Sequence, residues 1–171
     1  MTTQHIRPGG GTLTTAFATE VCPVGTQWTD HSPAAGPKRY VFCINEGSTS
    51  WTIGVPVAIL LTATKLGECS FTAATQLLIN DGTTDVTAVA GMALGTVAED
   101  EYGWIQVGGI CTNMVTDGTL EASVGGYVAD NGVAVIIATE PTAHGIMCVG
   151  ITADVGNLSS NAILKGCLLD F

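Results

Sequence analysis

Gly91-Met92-Ala93-Leu94-Gly95-Thr96-Val97-Ala98-Glu99-Asp100-Glu101-Tyr102-Gly103-Trp104-Ile105-Gln106-Val107-Gly108-Gly109-Ile110 is the stretch on which the fold turns. It reads as two strands, Met92–Val97 and Gly103–Ile110, on either side of an acidic loop. Short runs of Val, Ile and aromatics recur outward from it in both directions. They place further strands at Tyr40–Ile44, Thr52–Leu61, Gln76–Ile79, Val86–Val89, Asn113–Val115, Gly126–Val128, Val133–Thr139, Gly145–Ile151 and Ala162–Leu169. Asn80-Asp81-Gly82, Thr116-Asp117-Gly118 and Asp130-Asn131-Gly132 supply the positive φ that tight turns need. Val55–Leu66 is the one helix candidate, with Pro56 at a permitted first-turn position. The expectation is an all-β chain: a small β-barrel, β-tulip-like or sandwich domain with an extended N-terminal arm.

The arm is residues 1–38. It holds Pro8, Pro23, Pro33 and Pro37 and the run Gly9-Gly10-Gly11. Such a segment buries too little apolar surface to fold alone, so it gains order by lying on another surface. Phe17, Val21–Val24 and Trp28 are its apolar anchors. Residues 39–171 form the β domain, which divides into two related β units, about 71–110 and 120–171. Leu77-Leu78-Ile79-Asn80-Asp81-Gly82 echoes Tyr127-Val128-Ala129-Asp130-Asn131-Gly132. Met92 in Gly91–Val97 likewise meets Met147 in Ile146–Thr152. Generic β composition also produces such echoes.

Charge is scarce. Asp, Glu, Lys and Arg make up 12% of the 171 residues, about half the usual share, and mean hydropathy is +0.41. So few charges coat an isolated domain poorly, which points to burial against copies or a partner; a Thr/Ala/Gly-rich β surface is the simpler reading. The net charge is −10, and only Arg7, Lys38, Arg39, Lys65 and Lys165 are basic. Displacing counterions from phosphates takes many Lys or Arg, so nucleic-acid binding is not expected, and neither is attraction to an anionic membrane. Trp51–Leu61, the most apolar stretch, is too short to span a bilayer and contains Pro56. The N-terminus lacks the apolar core of a secretory signal. The six cysteines (22, 43, 69, 111, 148 and 167) include no Cys-x-x-Cys, and buried reduced thiols fit them better than disulfides or zinc.

Catalytic signals are weak. Asp30-His31-Ser32 looks like a triad written in a row, but neighbouring side chains diverge and triads are assembled in space. Gly9-Gly10-Gly11 lacks the Lys-Ser/Thr of a phosphate loop. Glu99-Asp100-Glu101 offers oxygens to a cation such as calcium without the alternating spacing of a binding loop; a solvated turn is the simpler reading. Trp28, Trp51 and Trp104 suit a sugar platform, or the packing of a core or subunit interface.

Gly91–Gly109 resembles the Gly-x-Ala, polar loop, Tyr-Gly-Trp-hydrophobic-Gln-Val-x-Gly stretch of tailed-phage head decoration (capsid cement) proteins. The similarity continues through Met114, Asp117-Gly118-Thr119, Asp130-Asn131-Gly132-Val133, Ile146–Ile151 and Ile163–Leu169, covering about residues 75–171. The six cysteines depart from the family's usual form. The resemblance implies a small β domain, clustered as trimers or another homo-oligomer on the outer surface of a virion capsid. Assembled in the host cytoplasm, it would staple neighbouring major capsid protein subunits, with no enzymatic activity and no cofactor. Phe17, Trp28, Arg39, Trp51, Tyr102 and Trp104 are the candidate interface residues. The rival readings are an adhesive head-fibre or glycan-binding module, and a metal enzyme built on Glu99 and Asp100.

Overall fold

The structure is a computed structural model. It describes residues 8–31, 34, 36–47, 50–59, 68–70, 89–115, 125–130, 134–137, 148–150 and 159–164, and the account that follows is of those residues. All their regular structure is strand. In chain order the strands are β1 (Gln27–Asp30), β2 (Lys38–Asn45), β3 (Pro56–Ile59), β4 (Glu68–Ser70), β5 (Val89–Ala93), β6 (Tyr102–Val115), β7 (Gly125–Asp130), β8 (Ala134–Ile137), β9 (Cys148–Gly150) and β10 (Ser159–Leu164).

Five of the strands close a ring. β2 pairs with β4, β4 with β3, β3 with β5, β5 with β6, and β6 returns to β2. The β2–β4 pair is parallel and the other four are antiparallel. β1 lies antiparallel to β2, with Trp28 opposite Tyr40. A ring sends alternate side chains inward. Val41 and Cys43 of β2, with their β6 neighbours Ile105 and Val107, are buried on the inward face. Tyr40, Phe42, Tyr102 and Trp104 occupy the other face.

β6 is long enough to serve two sheets. Its first half belongs to the ring, and from Gly109 to Val115 it pairs with β10. β10 leads on to β9, β7 and β8. The change of sheet falls at Gly109, whose φ of 80° lies in the left-handed region. A Cβ there would also run into the Pro37 carbonyl, so residue type and close approach act together.

Several expectations need correcting. Val55–Leu66 is not a helix where it is described: Pro56–Ile59 is β3, held between β4 and β5. Pro56 opens the strand, a position that tolerates the missing N–H, and Val57 is β-branched and fully buried. Gly103–Ile110 and Asn113–Val115 are one strand. The expected strand Met92–Val97 is displaced to Val89–Ala93, because the β6 edge at Tyr102 is taken by Phe17. β1 and β4 were not anticipated. β7 and β8, flanking Asn131-Gly132, do pair as antiparallel neighbours. Gln76–Ile79, Asn80-Asp81-Gly82, Asp117-Gly118 and most of the proposed repeat lie outside the described residues.

Candidate functional site: an aromatic face under an N-terminal strap

The alternation of β2 and β6 puts Tyr40, Phe42, Tyr102 and Trp104 on one face, with Phe42 directly opposite Trp104. Trp28 stacks on Tyr40 at a centroid distance of 5.3 Å and meets Trp104 edge-on at 6.5 Å. Phe42 stacks on Tyr102 at 5.9 Å and tilts against Trp104 at 5.3 Å. Phe17 completes the group, edge-on to Phe42 at 6.0 Å. Leu13, Cys22 and Leu94 pack around it. Offset and edge-to-face pairs of this kind are each worth about 0.5–1.5 kcal/mol beyond burial.

The N-terminal segment makes the cover. Phe17 exchanges both backbone hydrogen bonds with Tyr102, each 2.9 Å, on the β6 edge that β5 leaves free. Gly25 donates to the Phe42 carbonyl and Phe42 donates to the Thr26 carbonyl, on the far edge of β2. Residues 18–24 therefore cross the aromatic face from one side of the β6–β2 pair to the other. The Thr14 backbone lies where a Cβ on Gly95 would be, so glycine at 95 permits the contact. The surface that residues 8–31 lie on is the chain's own.

Of the six candidate interface residues, Phe17, Trp28, Tyr102 and Trp104 are brought together here. Trp51 is apart from them, buried beside Val97 and Gly103, and its backbone N–H donates to the Val97 carbonyl. Arg39 is exposed, with its guanidinium packed over Gly108. Tyr40 and Phe42 were missed as members of the cluster. The Tyr-x-Phe alternation inside an expected strand was the signal that could have found them.

Two polar features stand out. The indole N–H groups of Trp28, Trp51 and Trp104 are buried without a hydrogen-bond acceptor. An unmet buried donor costs about 1–3 kcal/mol. The second is Asn45, also missed, which is fully buried. Its Nδ2 donates to the Val97 carbonyl at 2.9 Å and its Oδ1 accepts from Gly47 N–H at 3.0 Å. Its backbone holds Asp100 and Glu101 at 2.8 and 2.9 Å. The acidic stretch is thus a pinned turn, with Asp100 at a φ of 61° and Glu101 Oε2 accepting from Ala98 N–H. Among the described residues no group of three His, Cys, Asp or Glu side chains converges to hold a metal ion. His31 is exposed, beside Asp30 on β1; Ser32, His5 and His144 lie outside the described residues.

Burial pushes the Tyr40 phenol up to about 12, with Asp30 and Cys111 adding to the rise. A raised folded value means that the neutral phenol is favoured. Its contribution to stability is complete below the unfolded value of 10.0 and is lost as pH climbs from there to about 12. Spectroscopic titration of tyrosinate should show the Tyr40 phenol ionising late, coincident with alkaline unfolding. Tyr40→Phe removes that phenol from the titration and moves the onset of unfolding to higher pH.

No protein-family model, curated protein or solved structure matches the chain.

Proposed function

We propose that the chain is a structural virion protein, a head decoration or cement protein of a tailed phage. In this reading it binds the outer surface of the capsid, touches neighbouring major capsid protein subunits and works as a homo-oligomer. The observation that carries it is the sequence of Gly91–Gly109. The same stretch supplies the last three residues of β5 and the ring half of β6, the strand shared by both sheets. Scarce charge and a net charge of −10 suit a protein crowded among protein neighbours and held away from packaged DNA. Repetition by symmetry turns modest contacts into shell stability.

A glycan-binding module is the second reading, and the three tryptophans are its support. A sugar platform needs an open ring face, whereas Trp51 is 0% and Trp104 1% exposed. That favours the cement reading. The test uses heads of the encoding phage assembled with and without the chain, heated and scored for DNA release. Heads lacking the chain should release DNA at a lower temperature, and adding the purified chain should restore the difference. Equal release temperatures would sink the proposal.

A further inference from the structure

The strap has an unusual build. Its tip is a preformed turn. Thr15 N–H donates to the Thr12 carbonyl at 3.1 Å, and the Thr12 hydroxyl bonds those of Thr14 and Thr15. Those bonds are internal to the tip, so its shape does not depend on which surface it lies against. The tip docks through Phe17, Leu13 and the Thr14 backbone at Gly95. Between the tip and β1, Ala18, Thr19, Glu20 and Val21 are all exposed; Val24 N–H donates to Glu20 Oε1 and Thr26 N–H to the Pro23 carbonyl, both bonds local to this connector. Val21 is an exposed large apolar residue on a chain poor in charge.

We infer that residues Gly11–Phe17 are an exchangeable plug, and that the β6 edge at Gly95 and Tyr102 is a docking site for the same segment of a second copy. The occupant is fixed by what already fills the site. Leu13, Phe17 and the Thr14 backbone match it, and a plug from another copy makes identical contacts. Intramolecular and intermolecular docking then differ only in the connector and in concentration. A short flexible connector gives an effective concentration on the order of millimolar. Copies packed on a shell reach the same range, so the plug resides in its own chain in dilute solution and in a neighbour when crowded. The inference rests on the proposed function for the crowding and not for the site.

Geometry supplies the test. In its own chain the connector spans three strand spacings, from the plug across β6 and β2 to β1, about 14 Å before it clears the rings. Deleting Ala18–Val21 leaves Phe17 joined to Gly25 through Cys22, Pro23 and Val24. That is four Cα steps, at most about 13–14 Å when fully extended. The shortened chain cannot dock its own plug, so sedimentation of the full-length deletion variant should show a dimer or closed higher oligomer at concentrations where the parent is smaller. A deletion variant that stays monomeric, with residues 8–17 cut by protease, overturns the exchange.

A second measurement leaves the connector intact. A benzophenone amino acid replaces Phe17, and chains grown on ¹⁴N and ¹⁵N are mixed in equal amounts and irradiated. Crosslinks to the peptides holding Phe42 or Tyr102 should pair like isotopes in dilute solution. At millimolar concentration, where docking within and between copies is balanced, about a quarter should be of mixed isotope, rising toward about half with further crowding. Like-isotope pairs at every concentration, or no crosslinks to those peptides, overturn the inference. Head binding is read separately: a chain that coats heads with its plug always in place refutes exchange alone, and one that exchanges but leaves heads bare refutes the cement reading alone.

Discussion

Trp104→Ala should remove about 3–5 kcal/mol from the stability of the folded chain, whereas Trp104→Phe should cost less than about half of that. Trp104 is 1% exposed, and its ring lies between Phe42 at 5.3 Å and Trp28 at 6.5 Å. Truncation to alanine opens a cavity walled by rings that cannot collapse inward, because β2 and β6 are fixed by the ring's ladder. Domains of this size hold about 5–15 kcal/mol in total, so the alanine variant loses a large fraction. At about 2–4 °C per kcal/mol, its Tm falls by roughly 6–20 °C. Phenylalanine keeps a ring against Phe42 and deletes the buried indole N–H that has no acceptor. Relief of that unmet donor, about 1–3 kcal/mol, offsets much of the lost packing. Denaturant unfolding followed by far-UV circular dichroism measures both variants without relying on the tryptophan removed. A Phe variant as unstable as the Ala variant would show that the N–H is satisfied and the argument wrong.

The same residue shows what sequence conveys and what it withholds. All-β architecture was legible because short β-branched and aromatic runs separated by Asp-Gly and Asn-Gly turns have few other solutions. Trp104 could be named a packing residue from its place in Gly103–Ile110, but not assigned to a partner's surface or the chain's own. That choice depends on where residues 8–26 lie, a long-range contact with no local signature. The separation of Met92–Val97 from β5 has the same origin, since nothing near residue 94 announces that Phe17 takes the Tyr102 edge. β4, three residues long, and β1, inside a Pro/Gly-rich stretch, are below what periodicity resolves. The reading of Gly91–Gly109 as two strands located a stretch central to the fold, yet it was silent on Tyr40, Phe42 and Asn45, which complete the surroundings of that stretch.

Asn45 carries the other large effect. Asn45→Leu should cost about 2–4 kcal/mol, since Gly47 N–H loses its acceptor in a buried site and the Val97 carbonyl keeps only the bond from Trp51 N–H. Asn45→Asp is the sharper probe. It keeps the acceptor for Gly47, but its second oxygen faces the Val97 carbonyl where an N–H used to donate. Both the carbonyl and burial disfavour the charged form, so the folded pKa of the new carboxyl rises above the unfolded value of about 3.9. Protonated, it donates to Val97 and nearly restores the parent network. Relative to the parent, the Asp variant should therefore be close in stability below about pH 4 and fall behind progressively as pH rises through the shifted value. Paired unfolding curves at acid and neutral pH give the difference directly; a gap that stays constant with pH would mean that the side chain is not held between Val97 and Gly47. The consequence reaches the strap. The Asn45 side chain ties down Val97, which leads into the turn that its backbone holds at Asp100 and Glu101, and that turn sets the direction of the Tyr102 backbone that Phe17 pairs with. At neutral pH the Asp variant should thus also lose protection of residues 8–17 against protease before the ring itself unfolds, and regain it on acidification.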